Sequence, residues 1–198
     1  WSTPLMPIVF LFSAMVSGIA AVMLLYMLVS WLQKRVIEMT CLDTIAKYLF
    51  YVFLVDFSLE MLDLIHRIYE ADESFRTLDF MVQSRLYTSH VVVQILLGTC
   101  LPLLLLAATQ VFPLAAALRR RLYVVSGVLT LVGIFAMRWN VVIGGQLFSK
   151  SYLGYTTYKL EFATREGLLA SIALMLLPFA ILWVLIKLLP PFEEHRTV

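Results

Sequence analysis

Leu5–Leu32 reads LMPIVFLFSAMVSGIAAVMLLYMLVSWL, and this stretch decides the fold. No Asp, Glu, Lys or Arg interrupts it. At 1.5 Å per residue such a helix reaches roughly 40 Å, enough to cross a hydrocarbon core of about 30 Å with some tilt. Pro4 and Pro7 suit its first turn, Tyr26 and Trp31 approach the interface, and Lys34 and Arg35 close it in water. Ser13, Ala14, Ser17, Gly18 and Ala21 make small-xxx-small pairs of the kind that let a neighbouring helix approach closely.

The rest of the chain repeats this pattern. Of 198 residues 62% are hydrophobic and 14% charged, and the mean hydropathy of +0.91 lies outside the range of a soluble domain. Further spans are expected at about 45–70, 86–110, 122–144 and 166–189. Pro102 is a candidate kink, Gly127 and Gly133 are packing positions, Pro178 is a possible bend, and Pro190 and Pro191 form a stop. The expected fold is therefore all-α, a polytopic bundle of five membrane spans forming one transmembrane domain over 1–198. A net charge of +2 is too small to point to nucleic acid. Cys41 and Cys100 have no metal-ligand spacing and read as packing residues. The chain opens at Trp1 without an initiator Met or a basic leader, which reads as a fragment, whereas PPFEEHRTV reads as a natural polar tail.

Five spans put the termini on opposite sides. One side carries Lys34, Arg35, Lys47, Arg119, Arg120, Arg121, Lys187 and Arg196; the other carries Arg76, Arg85, Lys150, Lys159 and Arg165. The positive-inside rule then places the C-terminus in the cytoplasm and Trp1 outside.

The second span carries an anomaly, DFSLEMLDLIHR at Asp56–Arg67. Asp56, Glu60, Asp63 and Arg67 are spaced four, three and four residues apart, so at 100° per residue they fall within about 60° of one another along roughly 16 Å of helix. One acid at the bilayer centre costs about 2.5 to 3.5 kcal/mol on insertion scales, so the stripe must face protein or water. Depth matching puts Glu60, Asp63, His66 and Arg67 level with His90 and Gln94 of the third span and with Arg138 and Asn140 of the fourth. If these spans are neighbours, a polar cluster forms under the outer surface, and Asp56 extends it toward mid-membrane. Two readings compete. In one, a row of acids a helical turn apart hands protons along through side-chain rotation or bridging water. In the other, Arg67 and Arg138 pair with Asp63 and Glu60 and only fix helix register. His66 and His90 could in principle clamp a haem iron, but a single such pair is more often hydrogen-bonded packing, and haem is not expected.

Arg138–Gln146, RWNVVIGGQ, followed by Ser149, Lys150 and Tyr155, resembles the late-helix signature of NrfD or polysulfide-reductase (PsrC-type) membrane subunits. WSTPLMPIVFLFSAMVSG at the start resembles the span that opens the second half of those proteins, and within the family the likeness is to DsrP (HmeB-like) members. The resemblance implies a haem-free subunit of the prokaryotic cytoplasmic membrane. It would exchange electrons between a membrane quinone or menaquinone and a periplasmic iron–sulfur, ferredoxin-like subunit, alongside other redox subunits. It also implies a ten-span parent whose quinol pocket is built mainly by a first half that this chain lacks. Only Arg138, Asn140 and Gln146 are carried over, as structural or site-lining positions; no residue is assigned a catalytic role. Quinol oxidation releases two protons per two electrons, and Asp56, Glu60, Asp63, His66 and Arg67 are the candidate path, with His90 and Gln94 at its outer end. The competing functions are a passive anchor for redox partners and half of a secondary transporter, the latter disfavoured by the lack of a Gly-rich broken helix at mid-span.

Overall fold

The apolar runs fold as helices. The computed structural model describes residues 5–70, 82–146 and 168–188. Among them the elements are α1 (Met6–Leu32), α2 (Met39–Glu70), α3 (Val82–Cys100), α4 (Leu101–Val111), α5 (Ala116–Gln146) and α6 (Leu168–Leu188), and no strand is present. Among the described residues four spans are long and apolar enough to cross a membrane: α1, α3 running into α4, α5, and α6. At 32 residues α2 has the length as well, but its charged stripe lowers its hydropathy. The all-α membrane class expected from composition is the fold observed. Trp1–Leu153 and Gly154–Val198 form two compact units.

Within the first unit, α1 packs on α2 and α5, α4 packs on α2 and α5, and α3 packs on α5. The seam explains these pairings. On α1 the buried residues are Val9, Ser13, Val16, Ala20, Met23, Met27 and Ser30, alternating steps of four and three, the 3.5-residue repeat of helices in contact along their length. On α2 the same alternation runs through Leu42, Ala46, Leu49 and Phe53, all buried, and its next member is Asp56, 3% exposed. Glu60 and Asp63 continue it. The acidic stripe is thus the outer half of α2's own packing seam, and its carboxyls point where the inner half points its core side chains. The small-residue stripe of α1 behaves differently from expectation: Ser13 is on the seam, but a Cβ on Gly18 would meet nothing within 4 Å.

α1 ends in a Schellman turn. Arg35 N–H donates to Ser30 O at 2.9 Å and Lys34 N–H to Trp31 O at 3.1 Å, with Lys34 at φ 54°, a left-handed position glycine usually fills. α3 is wound as a π-helix with i→i+5 bonding, and Thr99 Oγ1 follows the same spacing in donating to Gln94 O at 3.0 Å. α-winding begins at Leu101, with Pro102 in the first turn of α4, where its missing N–H is tolerated. The kink expected at Pro102 is therefore a change of helical register. α4 stops because Phe112, preceding Pro113, is extended at φ −102°, ψ 135°.

Gly98 and Gly133 bring α3 and α5 together backbone to backbone, since a Cβ on either would collide with the other's main chain. Gly127 lies against Met23 and Leu24 of α1, so both glycines singled out on the fourth span do serve packing. At the end of the unit where α1 finishes and α2 and α5 begin, Arg119 Nη1 donates to Asp43 Oδ2 at 2.7 Å and Tyr123 Oη donates to Asp43 Oδ1 at 2.8 Å. These bonds fix the register of α2 against α5.

The second unit is described over α6. This helix is apolar except for Ser171 near its start and Lys187 in its last turn, with Pro178 inside it. The Lys187 ammonium lies 5.3 Å from the Trp183 ring centroid, one turn back, as an interfacial lysine stacked on its own helix would.

Candidate functional site, a polar cavity among four helices

At the end of the first unit opposite Asp43, four helices line a half-open cavity of about 100 Å³. α1 contributes Met6 and Val9; α2 contributes Glu60, Met61, Asp63 and Leu64; α3 contributes His90, Gln94 and Ile95; α5 contributes Met137, Asn140 and Val141. Five of these twelve side chains are polar. At about 30 Å³ per water the space suits roughly three waters, and it is smaller than the ~150 Å³ cavity that admits one benzene. Its polar walls offer partners for bound water.

A directed hydrogen-bond chain forms the wall opposite α2. Ser89 Oγ donates to Asn140 Oδ1 at 2.6 Å, and Asn140 Nδ2 donates to Gln94 Oε1 at 3.0 Å. His90 Nδ1 meets the same Gln94 Oε1 at 2.9 Å. A carboxamide oxygen only accepts, so Nδ1 carries the proton in this arrangement, and Nε2 of a neutral His90 is left as an acceptor. The network ties α3 to α5 without using a charge. Across from it stand Glu60 and Asp63, and one turn deeper on α2 lies Asp56, whose buried Oδ1 has no hydrogen-bond partner among the described residues.

Glu60, Asp63, His90, Gln94 and Asn140, placed at one depth by the sequence, line one cavity, and Asp56 extends the row inward as expected. Arg138 is not brought in: its guanidinium lies 5.8 Å from the Phe10 ring centroid on α1, and among the described residues it makes no ion pair with Glu60. The register-fixing alternative had assigned it that pairing. The reason is rotational, since two residues along a helix turn the side chain by about 200°, and Asn140 already occupies the cavity face. His66 is exposed and does not line the cavity. The side chains of Arg67 and Gln146 lie outside the described residues, as do the loop ADESFRTLD and Ser149, Lys150 and Tyr155.

Sequence reasoning missed two participants. Ser89 gave no signal, being a small hydroxyl beside a more conspicuous histidine. Asp43 gave one that went unread, an acid at the arginine- and lysine-rich end, where the partner Arg119 is supplied from another span.

No curated protein and no solved structure matches the chain. The family described as polysulphide reductase, NrfD, matches residues 1–150, a range that contains α1 to α5, the whole cavity and the RWNVVIGGQ segment. The chain belongs to the polysulphide reductase, NrfD family.

Proposed function

We propose that this chain is a membrane subunit of a quinone-linked redox complex, and that its cavity handles the protons of the quinone reaction. Oxidation of a quinol yields quinone, two electrons and two protons. The electrons leave to a docked iron–sulfur subunit on the outer face, and the protons need titratable groups beside the reaction. Glu60 and Asp63 serve that need at the cavity, with Asp56 as the next station inward and His90 Nε2 as an acceptor on the facing wall. The quinone, menaquinone included, binds outside this cavity. On this reading the protein sits in the prokaryotic cytoplasmic membrane with its C-terminus in the cytoplasm, following the excess of Lys and Arg at the Asp43 end.

The observation that carries the proposal is the position of three carboxyls on α2's packing seam, two of which, Glu60 and Asp63, line a cavity whose facing wall presents neutral donors and acceptors. A group that only fixes register is expected to meet a fixed counter-charge, as Asp43 does, whereas the buried Oδ1 of Asp56 has no hydrogen-bond partner among the described residues. The test is a Glu60→Gln, Asp63→Asn double variant in the intact complex. Quinol turnover is expected to fall by about a hundredfold, the low end for removal of a positioned proton-transfer group, with the amount of assembled complex unchanged. Unaltered turnover with an unaltered pH profile would overturn it.

A further inference from the structure

A second, larger space lies at the opposite end, an open groove of about 940 Å³ between the finish of α1 and the start of α5. Lys34 and Arg120 line it, with Arg35, Trp31, Val36 and Val124, and among the described residues that line it there is no carboxylate. We propose that this groove holds the headgroup of an anionic phospholipid, its phosphate between Lys34 and Arg120.

Three observations converge on an anion. First, α5 begins at the groove, where Ala116 and Ala117 precede the first bonded amides, those of Leu118 and Arg119 to Ala115 O. This is the positive end of a 31-residue helix with no acid in its first turn. Arg120 adds a like charge there, an arrangement that costs energy unless something negative answers it. Arg119 next to it is answered by Asp43, whereas Arg120 faces the groove. Second, Lys34 occupies the left-handed position of the α1 Schellman turn, where a glycine would cost less. The strained backbone is kept while a cation is placed at the groove mouth. Third, the surroundings match a lipid and not a free ion. Trp31 is 72% exposed and Val36 96% exposed, at the end of a helix long enough to reach headgroup depth. Met27 and Val124, one turn deeper on their helices than Trp31 and Arg120, continue an apolar lining suited to acyl chains. A soluble anion would gain nothing from that lining.

The experiment is native mass spectrometry of the full protein in its complex, released from phosphatidylcholine nanodiscs doped with phosphatidylglycerol. Selective retention of phosphatidylglycerol over phosphatidylcholine is expected. A Lys34→Gln, Arg120→Gln double variant should weaken that retention roughly thirtyfold, about fivefold per removed charge, while Arg121→Gln, outside the groove, should leave it unchanged. Equal retention of both lipids, or equal retention by wild type and double variant, overturns the proposal. So does displacement of phosphatidylglycerol by inorganic phosphate but not by chloride at matched ionic strength, which would mark a site for the free ion. If the double variant fails to assemble, Ala117→Trp, which keeps every charge and fills the groove, must lose the lipid; retention by that variant overturns the proposal equally.

Discussion

Asp43 and Asp56 lie on the same helix, both turned toward neighbouring helices, and the bundle treats them in opposite ways. Asp43 receives a guanidinium at 2.7 Å and a phenol at 2.8 Å, with its side chain still 32% exposed. Asp56 is 3% exposed, and its Oδ1 has no hydrogen-bond partner among the described residues. Asp43 sits beside the apolar half of the α2 seam and locks it to α5. Asp56 is a member of the seam itself, at the point where Leu42, Ala46, Leu49 and Phe53 give way to acids. A carboxyl that costs several kcal/mol to bury and meets no counter-charge among the described residues adds nothing to stability. On the proposed reading, the two ends of one helix separate architecture from chemistry.

The largest expected effect comes from prying open the cavity end alone. Gly133→Ala forces a Cβ into the Gly98 main chain, an overpacking expected to cost about 2 to 3 kcal/mol because backbone, unlike a flexible side chain, cannot swing aside. Hydrogen exchange should rise along α3 and the late turns of α5 as the Ser89–Asn140 and Asn140–Gln94 bonds loosen, while the amides around Asp43 and Arg119 stay protected. Uniform loosening of both ends would mean that they are one cooperative unit and that the contrast is not structural.

Next in size is a crossed pair of substitutions. Asp56→Asn keeps the shape and removes the ionisable group, so quinol turnover is expected to drop about tenfold with thermal stability unchanged or raised. Asp43→Ala should do the reverse. It removes the Arg119 pairing at a site intermediate between surface and interior and is expected to cost about 1 kcal/mol of stability, with turnover per assembled complex preserved. Measured side by side, a turnover loss in Asp43→Ala equal to that in Asp56→Asn would erase the distinction.

The sequence carried much of this contrast, and where it failed the cause is identifiable. Spacing alone put Asp56, Glu60 and Asp63 on one face of α2, and counting 1.5 Å per residue from the span ends put His90, Gln94 and Asn140 at the same depth. Depth says nothing of rotational phase, which is why Arg138 was grouped with a cavity it turns away from. Phase was equally hidden in α1. A helix apolar on every side carries no moment to show which stripe is packed, so Gly18 looked like a contact point, while the seam in fact runs through Val16, Ala20 and Met23. The Asp43–Arg119 bond joins residues 76 apart, and no local pattern announces such a pairing. The π-winding of α3 has no readable signature beyond Pro102 at its end.

The smallest effect is also the one that tests the basic end from a different side. Lys34→Gly relieves the left-handed strain at the close of α1 and is expected to stabilise the protein by about 0.5 to 1 kcal/mol, read as a rise in the melting temperature of the detergent-solubilised complex. The same change removes a cation from the groove, so retention of phosphatidylglycerol should fall about fivefold even as the fold becomes more stable. The two readouts moving in opposite directions is the informative result. If stability rises and lipid retention is untouched, Lys34 is only an imperfect helix cap. If stability falls when phosphatidylglycerol is present and rises when it is absent, the lipid is part of what holds the Asp43 end together, and the architectural half of α2 owes some of its rigidity to the membrane.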